Sequence, residues 1–413
     1  MTYENTKPID SVILVGIESD NTSAYLAELA ELAQTAGAVV VGEMLQNRDR
    51  AHPGHYLGKG KLEELRLMID ATDATGIICD DELTSAQMRN LNEILDVKII
   101  DRTMLILDIF AQRALSSEGK LQVELAQLKY SISHLVGVGK AMSRLGGGIG
   151  TRGPGETKLE TDRRHIRSRM TDLTRELAEI KTHRAQLRTG RLRKGTPLVS
   201  LVGYTNAGKS TLLNTLTNAG VLAEDKLFAT LDTTTRKVAL PGGTNILLAD
   251  TVGFIRKLPH KLIQAFQATL EELSHADILL NVVDASGSEI SQHIEVVRKT
   301  LADLNLSQKP LITVYNKMDR AEETPSADSN SYATVRVSAL SGNGLPNLLA
   351  EIETLLNSFK TTINVVIPYS DGSMLGLIHG NCEILEENHL PEGTHIRAYA
   401  SDEIAGRLSK YVN

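Results

Sequence analysis

The sequence predicts an α/β chain of several parts, and three observations carry the prediction. An apolar run at 197–202 leads into Gly203-Tyr204-Thr205-Asn206-Ala207-Gly208-Lys209-Ser210 and then a helical stretch at 211–216. That is the strand, glycine loop and helix order of a phosphate-binding P-loop. The first hundred residues alternate buried-strand and helix patterns, which implies a parallel sheet with helices on its faces. Between these regions lie two heptad-spaced apolar seams around a glycine-rich stretch, the pattern of an antiparallel coiled-coil arm. The expected division is an N-terminal α/β domain at 1–110, a helical hairpin arm with a glycine-rich tip and basic linker at 111–195, a doubly wound, mostly parallel P-loop domain at 196–360, and a small α+β C-terminal domain at 361–413.

Within the first region, strands are expected at 12–16, 39–41, 76–79 and 97–100, with helices at 23–36, 62–69 and 86–95. Ahead of the second helix stands His52-Pro53-Gly54-His55-Tyr56-Leu57-Gly58-Lys59-Gly60-Lys61. Glycines and lysines before a helix can bind an anion, and a plain surface turn explains them as readily.

The arm follows. Leu121, Leu125, Leu128, Ile132 and Leu135 step by three and four, and Leu159, Ile166, Met170, Leu173, Leu177, Ile180 and Leu187 keep the same phase. The second helix, at about 159–187, would be roughly 40 Å long at 1.5 Å per residue. The joining stretch at 137–155 is too rich in glycine to bury the apolar surface that would order it. Residues 140–194 hold 15 Lys and Arg against 6 Asp and Glu, a local +9, so the remainder carries −16 within the net −7. Such a segment suggests a polyanion contact, with Lys140, Arg144 and Arg152 as phosphate partners at the tip. A solvated helical face is the plainer alternative. No aromatic residue lies there, which argues against base stacking.

The P-loop chemistry follows from residue types. Glycines turn successive backbone N–H groups toward phosphate oxygens, and the helix that follows adds its unsatisfied donors. Lys209 would reach the β- and γ-phosphates and Ser210 would ligate Mg²⁺. In Asp250-Thr251-Val252-Gly253, the aspartate can hold the Mg²⁺ shell and the Gly253 N–H can meet the γ-phosphate. In Asn316-Lys317-Met318-Asp319, the Asp319 carboxylate can accept from guanine N1–H and N2–H₂, which adenine does not offer. Asn316 would support N7, and Lys317 would cover the base. Ser338-Ala339-Leu340 would bring a backbone N–H to guanine O6. These motifs in this order select GTP and GDP as substrate and product. Phe254 stands where many small GTPases carry a water-orienting glutamine, so slow intrinsic turnover is expected.

On these residues the sequence resembles the HflX-type ribosome-associated GTPases of the translation-factor class, nearly end to end. The resemblance rests on Gly147-Gly148-Ile149-Gly150-Thr151-Arg152-Gly153-Pro154-Gly155-Glu156-Thr157-Lys158-Leu159-Glu160-Thr161-Asp162-Arg163-Arg164, on the P-loop, on Phe228-Ala229-Thr230-Leu231-Asp232 and on Asp250-Thr251-Val252-Gly253-Phe254-Ile255. It implies that residues 228–232 are the first switch and that Thr230 senses Mg²⁺ and the γ-phosphate, with Lys209, Thr230 and Gly253 acting in hydrolysis. It further implies binding to the large ribosomal subunit, a hairpin tip directed at ribosomal RNA, and splitting or rescue of stalled ribosomes under stress. Some members have been assigned a second purine-nucleotide site, for ATP, in the N-terminal domain. Thr233 departs from the family's frequent proline.

The composition is that of a soluble globular chain, 41% apolar and 23% charged. Cys79 and Cys382 offer no disulfide framework or metal spacing, so a reducing cytoplasm is expected. The N-terminus lacks a secretory pattern, and no stretch is long and apolar enough to span a bilayer. A monomer is expected, without DNA as a partner, and peripheral membrane association stays open. Two other function classes compete with the ribosome-binding GTP hydrolase. One is a nucleotide-gated regulator with incidental turnover; the other is an ATP-driven RNA remodeller powered by the N-terminal domain. Residues 1–110 contain no complete second P-loop, which weighs against the remodeller.

Overall fold

The computed structural model describes residues 10–18, 24–135, 154–193, 196–217, 226–259, 262, 272–400 and 402–412. The first sheet is parallel, in the order β2-β1-β3-β4, from β1 (Ser11–Glu18), β2 (Val39–Asn47), β3 (Gly76–Cys79) and β4 (Lys98–Asp101). Its central strand is a near-continuous apolar run, Val12 to Val15, because helices cover both faces. Those helices are α1 (Ala24–Thr35), α2 (Lys59–Thr72), α3 (Ser85–Leu95) and α4 (Arg102–Arg113). Thr84 and Gln87 form a capping box that fixes the start of α3.

Sequence periodicity missed α4, and its burial explains why. Asp101 ends β4 and caps α4 directly, accepting the Met104 N–H at 2.8 Å, so no loop announces the helix. Thr103, Leu105, Ile106, Leu107, Ile109 and Phe110 are all buried, which leaves too little polar face to show a 3.6-residue period.

Two long helices follow, α5 (Ser117–Leu135) and α6 (Pro154–Arg193). At 40 residues α6 is about 60 Å long, longer than the seam alone indicated, because its polar ends stay helical. Leu173 is fully buried and Ile166, Met170, Leu177 and Ile180 are partly shielded, while most residues between them are exposed. That stripe packs toward α5, and Arg169 donates to Glu124 across the pair at 2.7 and 2.9 Å. Lys140, Arg144 and Arg152, on the glycine-rich stretch, lie outside the described residues.

The second sheet has six strands in the order β10-β9-β8-β5-β7-β6. They are β5 (Leu198–Gly203), β6 (Thr234–Ala239), β7 (Asn245–Asp250), β8 (Ile278–Asp284), β9 (Leu311–Asn316) and β10 (Ala333–Arg336). All neighbours run parallel except β6, which pairs antiparallel with β7. The helices α7 (Lys209–Thr217), α8 (Ile290–Asp303) and α9 (Leu345–Ser358) belong to this layer.

A third sheet, antiparallel in the order β11-β13-β12, closes the chain. It holds β11 (Thr361–Ile367), β12 (Glu383–Leu390) and β13 (Gly393–Ala400), with α10 (Gly372–Asn381) and α11 (Asp402–Leu408). The sequence pattern does not reveal β12 or α10. Glu383, Glu386 and Glu387 mask the strand, and Gly372, Gly376 and Gly380 depress helix propensity in α10.

One apolar core crosses the expected limits of the parts. Leu105, Ile109 and Phe110 of α4 and Val123, Ala126 and Tyr130 of α5 share a cluster with Tyr204, Leu227, Phe228, Leu231, Val252 and Ile255. The segments beside the P-loop are therefore packed on the N-terminal helices. Among the described residues no helix is long and apolar enough to cross a membrane.

Candidate functional site

The P-loop leaves β5 at the point where the strand order of the second sheet reverses, the usual place for a ligand crevice. Gly203 has φ of 149°, and a Cβ there would lie 2.2 Å from the Val282 carbonyl oxygen of β8. Only glycine lets the loop turn this close to the neighbouring strand. Gly208 is similarly constrained, with φ of 90°.

A cleft opens above this turn. Thr205, Asn206, Gly208, Lys209, Ser210 and Thr211 form one wall, and Lys226, Phe228, Ala229, Thr230, Thr251 and Gly253 another. Asn316, Lys317, Asp319, Arg320, Ala339 and Leu340 form the end farther along the sheet. Of the residues singled out in the sequence, Gly203, Tyr204, Ala207, Leu231, Asp232, Asp250, Val252, Met318 and Ser338 stand behind this lining.

Lys209 is buried, and its Nζ donates to the carbonyls of Tyr204 at 2.8 Å and Gly203 at 3.2 Å. Burial lowers its pKa to about 8, against the pull of Asp250. Asp250 is fully buried, and burial raises its pKa against the opposing effect of Lys209 and of hydrogen bonds from Ser210 and Thr230. The Ser210 hydroxyl donates to Asp250 Oδ2 at 2.6 Å and lies 2.7 Å from Thr230 Oγ1. Asp250 Oδ1 is buried without a hydrogen-bond partner. Three hard oxygen-bearing groups thus converge, with one lone carboxylate oxygen unsatisfied, a donor set that suits Mg²⁺. Among the described residues there is no cluster of three His, Cys, Asp or Glu side chains fit for a metal.

Toward the far end, Asn316 holds two loops together. Its Nδ2 donates to the Ala207 carbonyl and its Oδ1 accepts the Ala339 N–H, both at 2.9 Å. Asn316, expected to support a base, lines the cleft and also bridges the loop at 203–210 and the 338–340 loop. Ser338 donates to Asp319 Oδ1 at 2.5 Å, and that bond lowers the Asp319 pKa. Lys317 stands at φ of 61° with its Nζ 2.7 Å from Asp284. Burial works to raise the Asp284 pKa, but Lys317 and Ser286 outweigh it and the carboxyl stays ionised more readily than usual.

Three family models match in sequence: "GTP-binding GTPase N-terminal" at 23–111, "GTP-binding GTPase Middle Region" at 113–191, and "50S ribosome-binding GTPase" at 198–317. The chain is 51% identical over 404 residues to a GTPase HflX of Lacrimispora saccharolytica, which covers 97% of this chain and 96% of the relative. It is 48% identical to one of Caldanaerobacter subterraneus, over 97% of this chain and 93% of the relative. It is 42% identical to one of Escherichia coli, over 88% and 87%. The chain belongs to the HflX GTPases. It is accordingly a GTP-hydrolysing enzyme of the α/β P-loop class.

In this HflX chain the residue after Gly253 is withdrawn from the cleft. Phe254 is 1% exposed and packs with Val202, Leu273, Leu279, Val297 and Leu301. Its backbone does other work, donating to the Gly203 carbonyl at 3.0 Å and accepting the Thr205 N–H at 2.8 Å.

Several contacts behind the cleft were invisible in sequence because they join residues far apart in the chain. Tyr204 stacks on His293 at 3.9 Å, donates its hydroxyl to Glu28 of α1, and accepts the Arg256 N–H at 3.0 Å. Arg102 of α4 donates to Glu28, to Asp80 at 2.6 Å and to the Arg256 carbonyl at 3.0 Å. Lys257 donates to Asp80 at 2.6 Å and Asp81 at 2.8 Å; these carboxylates raise its pKa although burial acts to lower it. By contrast, the stretch at 52–61 becomes a turn and the first turn of α2, with Lys59 exposed and Lys61 paired to Glu64.

Proposed function

We propose that the cleft binds GTP and GDP with Mg²⁺, and that hydrolysis serves binding to, and splitting or rescue of, stalled ribosomes on the large subunit. The observation that carries the nucleotide reading is the convergence of Ser210, Thr230 and Asp250 beside Lys209, with Asp319 at the far end of one cleft. Lys209 and the N–H groups of 205–210 would neutralise the β- and γ-phosphates. Mg²⁺, when bound, supplies charge neutralisation between those phosphates. Ser210, Thr230 and Asp250 would hold the ion, and the Gly253 N–H would meet the γ-phosphate; Gly253 lies beside Lys209, where a Cβ would come 2.9 Å from Nζ. Asp319 would read guanine, with the loop at 338–340 flanking O6.

With Phe254 in the core, this chain places no side chain from that position beside the attacking water. That supports slow intrinsic turnover, raised when a partner completes the site. The partner reading draws on the positive excess at 140–194, on exposed Arg164, Arg167, Arg175 and Lys181 along α6, and on the ribosome-binding description of the matched family model. Lys140, Arg144 and Arg152 would meet phosphates of ribosomal RNA, and the chain would act as a cytoplasmic monomer.

The test is cosedimentation with separated ribosomal subunits in each nucleotide state, beside turnover with and without them. GTP-dependent association with the large subunit and faster turnover there are the expected results. Replacing Lys140, Arg144 and Arg152 together with alanine should lower the slope of log affinity against log salt by about 0.7 to 0.9 for each phosphate no longer neutralised. Equal affinity and slope in the triple variant would reduce the charge excess to a solvated face.

A further inference from the structure

The segment at 227–232 has two ends, and only one faces the cleft. Thr230 lies beside Ser210 at the ion position. Two residues on, Asp232 turns its carboxylate away and accepts the Leu115 N–H and the Ser116 N–H, each at 2.8 Å, and the Ser116 hydroxyl. Ser116 in turn accepts the Gly119 N–H at 2.9 Å. These donors stand at the start of α5, where backbone N–H groups have no acceptor within the helix and negative charge is favoured. Ser116 therefore caps α5, and Asp232, from more than a hundred residues later in the chain, holds that cap in place.

The rest of the segment is pinned to the same junction. The Phe228 ring meets Phe110, near the end of α4, edge-on at 4.8 Å, and Leu227 and Leu231 are buried in the shared core. Gly119 makes the room: a Cβ at that position would lie 2.4 Å from Asp232 Oδ1. Between Thr230 and Asp232 there is one residue, itself buried, so the two side chains cannot move independently over any distance.

We propose that Asp232, with Ser116 and Gly119 as its seat, is a positioning residue for Thr230, so that GTP at the cleft and the capped start of the arm helix α5 stabilise each other. This rests on the reading of Thr230 as a ligand of the Mg²⁺–GTP complex. Binding free energies couple reciprocally: a nucleotide that draws Thr230 down holds Asp232 on α5, and seating Asp232 raises the preference for GTP over GDP by the same factor. The arm and the nucleotide thereby share one short segment of chain.

Gly119→Ala separates this device from ordinary stability. Alanine is the better helix former, which offsets part of what the lost Asp232 hydrogen bonds cost the fold, while its Cβ expels the carboxylate. Its preference for a non-hydrolysable GTP analogue over GDP should fall at least about fivefold, the low end of ordinary coupling between sites. Asp232→Ala should lose the preference similarly, and Asp232→Asn, which keeps an oxygen for the two N–H groups, should retain more of it. An unchanged preference in Gly119→Ala and Asp232→Ala overturns the proposal.

Amide exchange in the unmodified chain gives an independent reading. The amides at 115–119 should exchange more slowly with the GTP analogue than with GDP. A nucleotide-dependent change at 203–210 with none at 115–119 overturns the coupling and leaves the nucleotide site standing. No change at either place overturns the nucleotide reading itself.

Discussion

The crevice between β1 and β3 and the crevice between β5 and β8 occupy the same position in their two sheets, where strand order reverses, yet they are finished differently. At the second, glycines hold the backbone open and a buried lysine faces the space left for phosphate. At the first, Asp80 and Asp81 follow β3, and Arg102 and Lys257 close on them. Lys257 comes from the segment just after Gly253, so a residue from beside the second crevice lines the first, where a cavity remains among Gly16, Arg48, Asp49, Asp80 and Asp81. A topological switch point supplies only a place. What each place offers depends on what the strand ends present: a glycine loop with a buried lysine in one case, carboxylates already paired with Arg102 and Lys257 in the other.

The comparison can be broken most severely at the open crevice. Lys209→Ala should reduce GTP turnover by about 10³-fold or more, since it removes a buried cation aimed at developing phosphate charge; single-turnover hydrolysis with saturating GTP is the measurement. Ser210→Ala should act in the same direction by loosening the Mg²⁺ shell.

At the crevice of the first sheet the corresponding change is structural. Arg102→Ala leaves Asp80 and Glu28 facing each other without their shared cation, and should cost about 3 kcal/mol of stability, read as a lower denaturation midpoint. An unmoved midpoint would show that the joint is dispensable.

A smaller change sharpens what the open crevice selects. Asp319→Asn should weaken GTP binding by about one to two orders of magnitude and improve xanthosine triphosphate, because a charged acceptor for two donors is lost. Equal GTP affinity with no gain for xanthosine would remove Asp319 from base reading.

The smallest effect is expected at Phe254→Leu. Leucine keeps the pocket apolar and gives up only part of its volume, so the loss of stability should be about 1 to 2 kcal/mol. Turnover should stay within about twofold, because that side chain points into the core. A large fall in turnover at unchanged stability would place the ring in the chemistry after all.

What could be read from the sequence divides along similar lines. The P-loop, Asp250 to Gly253 and Asn316 to Asp319 are local motifs whose chemistry is carried by residue type and order, so the cleft was legible. The parallel sheets were legible too, because buried strands such as β8 are apolar throughout. Helix α4 was not, since a helix buried on nearly every side has no amphipathic signature. The joint around Glu28, Asp80, Arg102, Tyr204 and Lys257 left no mark either. Its members are scattered over some 230 residues, and each alone looks like an ordinary surface charge or an ordinary aromatic. Asn316 stands in the cleft as its motif spacing indicates, but its bridge between two loops was not legible; spacing fixes where a side chain stands, not every neighbour it satisfies.

Two of the glycines with crowded surroundings, Gly203 and Gly119, also imply different evolutionary fates. No single-base change that replaces glycine can avoid adding a side chain. At Gly203 the obstacle is the main chain of β8, only 2.2 Å from the new Cβ, so every such change parts two strands at the floor of the site. At Gly119 the obstacle is the tip of one side chain, Asp232, which can swing aside. Substitution at the first position should be purged as loss of the protein, while substitution at the second would persist as inherited variation in how strongly the nucleotide grips the arm.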